Sequence, residues 1–208
     1  FLHKHIPDLT EPTPDGVLTF EKLGTEVMYA QRVYGYGKHP TSWGGYQQGP
    51  HSAWSMQHAY KMLWSAYNQR IHDVLLQWPL VESILKRHEL VMSTVPLKSI
   101  AQPGNWQFTH QKVWITGGAS CPEMTVVYNG NPERDGPRWY RQSNVFGHAS
   151  REYSFDPGIV STQIYKPLTT NYVPPPGLHT MGRYGTWTKG ELIHDAYDKA
   201  LGLIDEVH

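Results

Sequence analysis

The chain has 208 residues, and its 18 Lys plus Arg are balanced by 18 Asp plus Glu, so the formal net charge is zero. That length suits one large domain or two small ones with a buried core, and the charge balance argues against a nucleic-acid partner. The single cysteine, Cys121, excludes an internal disulfide framework. No apolar run reaches the roughly 18 residues that span a bilayer, and no signal peptide opens the chain, so a soluble, cytoplasmic protein without a membrane partner is expected. Opening on Phe1, the sequence reads as one whose native start is missing or processed. Eight tryptophans and thirteen tyrosines supply amphipathic rings for a core, an interface or a cleft that stacks a flat ligand.

Residues 1–50 read as an irregular, loop-rich segment. His3 and His5, two apart, would share one strand face and could hold a metal, but no third ligand follows at a recognisable spacing and no metal is expected. Pro12, Pro14 and Gly16 mark a turn, and residues 17–34 fit a short helix or a strand equally. Residues 31–45, which include Trp43, form a glycine-containing loop that lacks the dinucleotide fingerprint GxGxxG. Loops of that length in compact domains usually bind something.

Residues 51–89 read as helical. Trp54, Tyr60, Leu63, Trp64, Tyr67 and Ile71 keep a helical beat through residues 52–77, predicting the longest helix, with Pro79 as its breaker and a second helix over residues 80–88. The histidines in this region read as solvated or satisfied core groups. Residues 90–180 read as β-rich. A short buried strand over residues 90–95 stops at Pro96, and alternating runs follow at residues 106–116, 124–128, 138–143, 151–155 and 159–165. Cys121 sits in a turn with no activating histidine at a known spacing, and no GxSxG elbow or P-loop occurs. The run Val173-Pro174-Pro175-Pro176-Gly177 is a stiff connector.

Residues 181–208 read as a turn and a final helix. Thr188 and Glu191 have capping-box spacing, predicting a helix that starts at Thr188 and packs Leu192, Ile193, Ala196, Ala200, Leu203 and Ile204 on one face. In front of it, Gly182 and Gly185 would let backbone approach a ligand, and Arg183 could fork onto a phosphate. The plainer alternative is a glycine turn before a capped surface helix. The whole is expected to be mixed α+β: a helical segment, then a mixed β-sheet, then a C-terminal helix.

Four stretches, within residues 31–43, 90–97, 127–152 and 182–187, together resemble the superfamily of UDP-galactopyranose mutases and amine oxidases, which are FAD-dependent flavoproteins. Leu90-Val91-Met92-Ser93-Thr94-Val95-Pro96-Leu97 is similar to that family's strand-then-proline signature. Val127-Tyr128-Asn129-Gly130, then Pro137-Arg138-Trp139-Tyr140-Arg141 and Glu152, resembles the stretch in which an arginine and a later glutamate follow an asparagine-bearing strand. Gly182-Arg183-Tyr184-Gly185-Thr186-Trp187 resembles the mutase's final FAD-contacting segment, and Gln31-Arg32-Val33-Tyr34-Gly35 with Ser42-Trp43 is similar to a loop in mutase-like proteins of bacteriophages and actinobacteria.

The resemblance implies that Arg183 contacts the FAD pyrophosphate, that Gly182, Tyr184 and Gly185 lie along the cofactor, and that Thr188 faces it. It also implies that Arg141 acts in catalysis by binding an anionic, nucleotide-linked substrate, with Trp43, Tyr140, Trp187 and Lys189 lining the substrate cleft. The alternative for Arg141 is a sheet arginine paired with Glu152. Two departures qualify the likeness. No Rossmann fingerprint occurs in the chain, so a separate Rossmann-domain chain, or a homo-oligomer, is an expected partner. The tyrosines that hold the mutase's substrate diphosphate are also unmatched, with Lys189 standing where one is expected, which speaks against the sugar-ring contraction itself. Expected function is therefore an FAD-dependent oxidoreductase or mutase-like flavoprotein, or the substrate-domain half of one. A non-catalytic binding or assembly subunit on the same scaffold is the alternative.

Overall fold

The computed structural model describes residues 1–34, 48–131 and 138–207. The chain divides into two interleaved units, Phe1–Leu63 with Gln111–Tyr165 and Trp64–His110 with Lys166–His208. Neither matches a contiguous stretch of sequence; the chain leaves the first unit and returns to it.

The fold is mixed α+β, with six α-helices among the described residues, the last of them C-terminal. A seven-stranded mixed sheet carries most of the first unit. Its strands are β1 (Gly16–Gly24), β2 (Gly49–Ala53), β4 (Phe108–Gly117), β5 (Thr125–Gly130), β6 (Arg141–Val145), β7 (His148–Tyr153) and β8 (Thr162–Thr170), in the order β2-β1-β5-β6-β7-β4-β8. The pairing of β1 with β5 is parallel; that of β1 with β2, β5 with β6, β6 with β7 and β7 with β4 is antiparallel. β5 is buried along its whole length because it packs on both faces. On one face Phe20, Val126 and Tyr128 meet Tyr29 and Val33 of α1 (Glu26–Tyr34), which lie one helical turn apart. On the other, Val127 packs with Cys121, Trp139 and Tyr153.

Residues 1–50 are thus not simply irregular, since β1 and α1 fall within them. The segment that fitted helix or strand holds one of each in succession. Residues 52–77 are not one helix either. Ser52 and Ala53 pair with β1, α2 covers Met56–Tyr67, a 3-10 turn follows at Asn68–Arg70, and α3 covers Trp78–Leu85. Pro79 opens α3 rather than ending a helix, because a residue without an N–H fits a first turn whose amides have no intrahelical acceptor. Among the described residues the longest helix is α6 (Ile193–Val207).

In the second unit β3 (Val91–Ser93) runs parallel to β9 (Leu178–Thr180), with Leu97 and Ile100 of α4 (Leu97–Ile100) buried beside Val81, Tyr172, Leu178 and Trp187. Among the described residues no helix is long and apolar enough to cross a membrane.

The β6–β7 hairpin fixes the register on which the first candidate site depends. Val145 pairs with His148, so Phe146 and Gly147 alone make the turn, at φ of 50° and 75°. Positive φ at both central residues matches the right-handed twist of the strands, and Phe146 meets the conformational cost by packing against the core. A Cβ on Gly147 would enter open space, so Gly147→Ala isolates the backbone term. It should lower unfolding stability by about 1–2 kcal/mol in urea titration; an unchanged midpoint would argue against this turn.

Candidate functional site

In the first unit, sheet register lines up Tyr128 on β5, Arg141 on β6 and Glu152 on β7 as direct cross-strand neighbours on one face. Arg141 Nη2 donates to Glu152 Oε1, and the Tyr140 hydroxyl donates to Glu152 Oε2 at 2.7 Å. The Glu152 side chain is 6% exposed and that of Arg141 34%, so the carboxylate is the inner partner. Tyr29 stands edge-on to both Tyr128 and Tyr140, at centroid separations of 5.4 and 6.1 Å.

Burial, and then the Glu152 charge, push the Tyr140 hydroxyl far above the usual tyrosine range. Burial likewise raises Tyr128, with Arg141 acting against it. For Arg141 itself burial disfavours the charge, but Glu152 together with the surrounding tyrosines outweighs it and the guanidinium is held more firmly protonated than usual. Both phenols are therefore donors at neutral pH, beside a fixed cation whose buried Nε–H has no partner. Asn129, fully buried, donates from Nδ2 to the Trp139 carbonyl at 3.1 Å and accepts from the Asn131 amide at 3.0 Å, which ties the end of β5 to the approach to β6.

In the second unit the parallel β3–β9 pair brings the strand-then-proline stretch beside the Gly-Arg turn. The Met181 amide donates to the Ser93 carbonyl at 3.0 Å, and the chain turns directly into α5 (Gly182–Gly185). Gly185 is pressed so close that a Cβ there would meet Ser93 O at 2.8 Å and Thr94 Cα at 3.1 Å. Thr186 donates from its amide and its hydroxyl to the Gly182 carbonyl, and the Thr188 amide donates to the Arg183 carbonyl at 3.2 Å.

The helix expected to start at Thr188 starts at Ile193 instead. Thr188 Oγ1 donates to the Thr186 carbonyl, the Lys189 amide donates to the Leu168 carbonyl of β8, and Gly190 adopts φ of 100°, so the chain between Thr188 and Glu191 follows no helical path. The cap is supplied one turn later by Asp195, whose carboxylate accepts from the Leu192 amide at 2.8 Å. Glu191 Oε1 instead accepts from the Gly182 amide at 2.8 Å, so the chain's own carboxylate already fills the first amide of α5. Sequence reading missed this role, for which the only local signal is an acid shortly after a glycine turn.

What this turn offers an anion is cationic side chains. Lys189 has its pKa lowered, first by burial and then by the nearby Arg183 guanidinium. Arg183 is half-buried, and its side chain has no ion-pair partner among the described residues. Tyr184 is exposed. Trp187 is buried at φ of 54°; its ring stands edge-on to Phe108 and its N–H donates to the Thr109 carbonyl at 2.8 Å, so it packs the core rather than presenting a face to a ligand. Tyr140 and Arg141 lie in the first unit and Trp187 and Lys189 in the second, while Trp43 lies outside the described residues. Among the described residues no group of three His, Cys, Asp or Glu could hold a metal ion. Burial foremost pushes the Cys121 thiol up, away from a reactive thiolate.

Removing the inner carboxylate tests the first cluster. Glu152→Gln should lower stability by about 2–3 kcal/mol, the lower end for a buried pair because Arg141 keeps part of its surface in water. The double change Arg141→Met with Glu152→Gln should recover part of that loss in chemical denaturation. An unaltered midpoint in the single variant would contradict the pairing.

Comparison with family models, with curated proteins and with solved structures finds no match to this chain.

Proposed function

We propose that this chain is a flavoprotein of the mutase and amine-oxidase type, or the substrate-domain half of one, and that its Gly182–Gly185 turn takes the pyrophosphate of FAD between Arg183 and Lys189. The observation that carries this reading is the pairing of two cationic side chains at one glycine turn: burial foremost and then the Arg183 charge depress the lysine, and an anion bound to both would offset that disfavoured charge. The donor set fits a diphosphate: one guanidinium fork, one ammonium, and a glycine turn with little side-chain bulk. Gly182, Tyr184, Gly185 and Thr188 would lie along the cofactor. The helix-end contribution is small, since α5 has four residues and Glu191 fills its first amide.

When bound, the flavin supplies the redox or nucleophilic chemistry, and the chain supplies position and charge. Arg141, held protonated by Glu152, would take the anionic group of a nucleotide-linked substrate. A separate Rossmann-domain chain would cover the adenosine half of the cofactor. The alternative, a non-catalytic binding or assembly subunit, is favoured by one observation: Met56, Tyr60, Leu63, Trp64 and Tyr67 expose an apolar row along α2, which suits burial against another chain.

The test is the visible spectrum of the protein purified with any co-purifying chain, followed by heat release and mass identification of the chromophore. Stoichiometric FAD, weakened about tenfold or more in Arg183→Ala, is the expected result. A colourless preparation that takes up no FAD, alone or with its partner, would leave the assembly reading.

The pH dependence has a definite sign. Lys189 holds its proton less tightly in the free protein than beside a bound anion, so binding takes up a proton. Affinity for FAD should therefore fall as pH rises through the depressed lysine pKa, below the ordinary lysine range, and Lys189→Met should flatten that fall.

A further inference from the structure

The first unit carries a pocket on the sheet face opposite Arg141 and Glu152. Arg151 is adjacent to Glu152 on β7, and successive strand residues point to opposite faces, so Arg151 shares its face with its cross-strand partners Gln142 and Thr116. There it borders a cavity of about 460 Å³, a size suited to a small organic molecule. Trp139, Tyr153 and Phe155 form its apolar lining, with Tyr153 and Phe155 edge-on at a centroid separation of 6.1 Å. The Arg138 guanidinium lies over the Phe155 ring, 4.8 Å from its centroid. Ser120 holds one wall in place, donating from its amide and hydroxyl to Gln142 Oε1 at 3.2 and 3.1 Å.

The charge of this pocket is unbalanced. Arg151 Nε is buried with no hydrogen-bond partner, and neither Arg151 nor Arg138 has an ion-pair partner among the described residues. The acid on the same cross-strand row, Glu21 on β1, is three strands away, or about 14 Å at the usual strand spacing. A buried guanidinium donor without an acceptor is costly, and an acceptor oxygen on a ligand removes that cost. Beside the two guanidinium groups, the rings offer apolar surface, and the stack of Arg138 on Phe155 presents a flat one.

We propose that this pocket binds a small organic anion that joins a flat aromatic ring to a phosphate or carboxylate, with Arg151 and Arg138 on the anion and the ring against Phe155 and Trp139. The site is independent of the flavin reading, since it shares no residue with the Gly-Arg turn or with Arg141.

Isothermal titration of the full chain with adenosine 5′-monophosphate and, separately, indole-3-carboxylate tests it, with adenosine and inorganic phosphate as half-ligands. One-to-one saturable binding of at least one whole probe is expected, with each half-ligand about tenfold or more weaker. Whichever probe binds more tightly identifies the anion as phosphate or carboxylate. Arg151→Gln and Arg138→Gln should each weaken binding about tenfold or more, and Arg151→Lys should recover only part of the loss because it restores charge without the fork. Arg138 is exposed, so its variant is not expected to perturb folding. No saturation by either probe at about 10 mM would overturn the proposal. Binding that both Arg→Gln variants leave unchanged would equally overturn it, because the anion would then sit elsewhere.

Discussion

Glu152 keeps a carboxylate inside the sheet, and a buried charge of that kind persists only where partners meet both of its oxygens. Arg141 answers one and the Tyr140 hydroxyl the other. Both partnerships follow from register: Phe146 and Gly147 close a two-residue turn, and the pairing that begins at Val145 and His148 sets Arg141 opposite Glu152. The same register puts Tyr128 on the other side of Arg141, with Phe20 stacked parallel to its ring at a centroid separation of 6.1 Å. A one-residue slip would turn Glu152 to the opposite face and bring Arg151 in against Arg141, an unanswered pair of like charges. The core on this face and the ionic network are therefore set by one turn.

The second unit handles charge differently. At the Gly-Arg turn the chain supplies its own anion, Glu191, to the first amide of α5, and sets Arg183 near enough to Lys189 to add to the burial that disfavours the lysine's charge. Lys199 satisfies the last carbonyl of β9, donating to Thr180 O at 2.7 Å, which fixes the approach to Gly182. Rigid backbone beside concentrated positive charge is what a bound anion needs, because little reorganisation accompanies its arrival. The Arg151 pocket repeats that condition on the sheet of the first unit.

Local pattern made some of this legible. The five β-runs after Pro103 each contain or overlap a strand, because alternation and the Gly, Pro, Asn and Asp breakers are local signals. The ion pair of Arg141 with Glu152 was open to reading as an alternative, since an arginine and an acid flank a short turn. The parallel join of β1 to β5 brings together residues about a hundred positions apart, which no window of sequence contains. The apolar beat over residues 52–77 misled because its start is extended: Ser52 and Ala53 pair with β1 and Trp54 bridges to Leu2, both long-range contacts. At the C-terminus, Thr188 and Glu191 have capping-box spacing, but backbone bonding of Lys189 to β8 and the conformation of Gly190 override it. Arg151 lay in no motif and Arg138 was given no role within its stretch, and only the folded sheet places both beside Phe155.

The functional account rests on the two cations at the Gly-Arg turn, and their interaction can be observed directly. Carbon-detected NMR titration of the Lys189 side chain, assigned by its loss in Lys189→Met, would give its pKa in the free protein, in Arg183→Ala and with pyrophosphate bound. The account predicts a depressed value in the free protein that rises toward the ordinary lysine range both when Arg183 is removed and when pyrophosphate is added. An ordinary value in the free protein that neither change moves would contradict it.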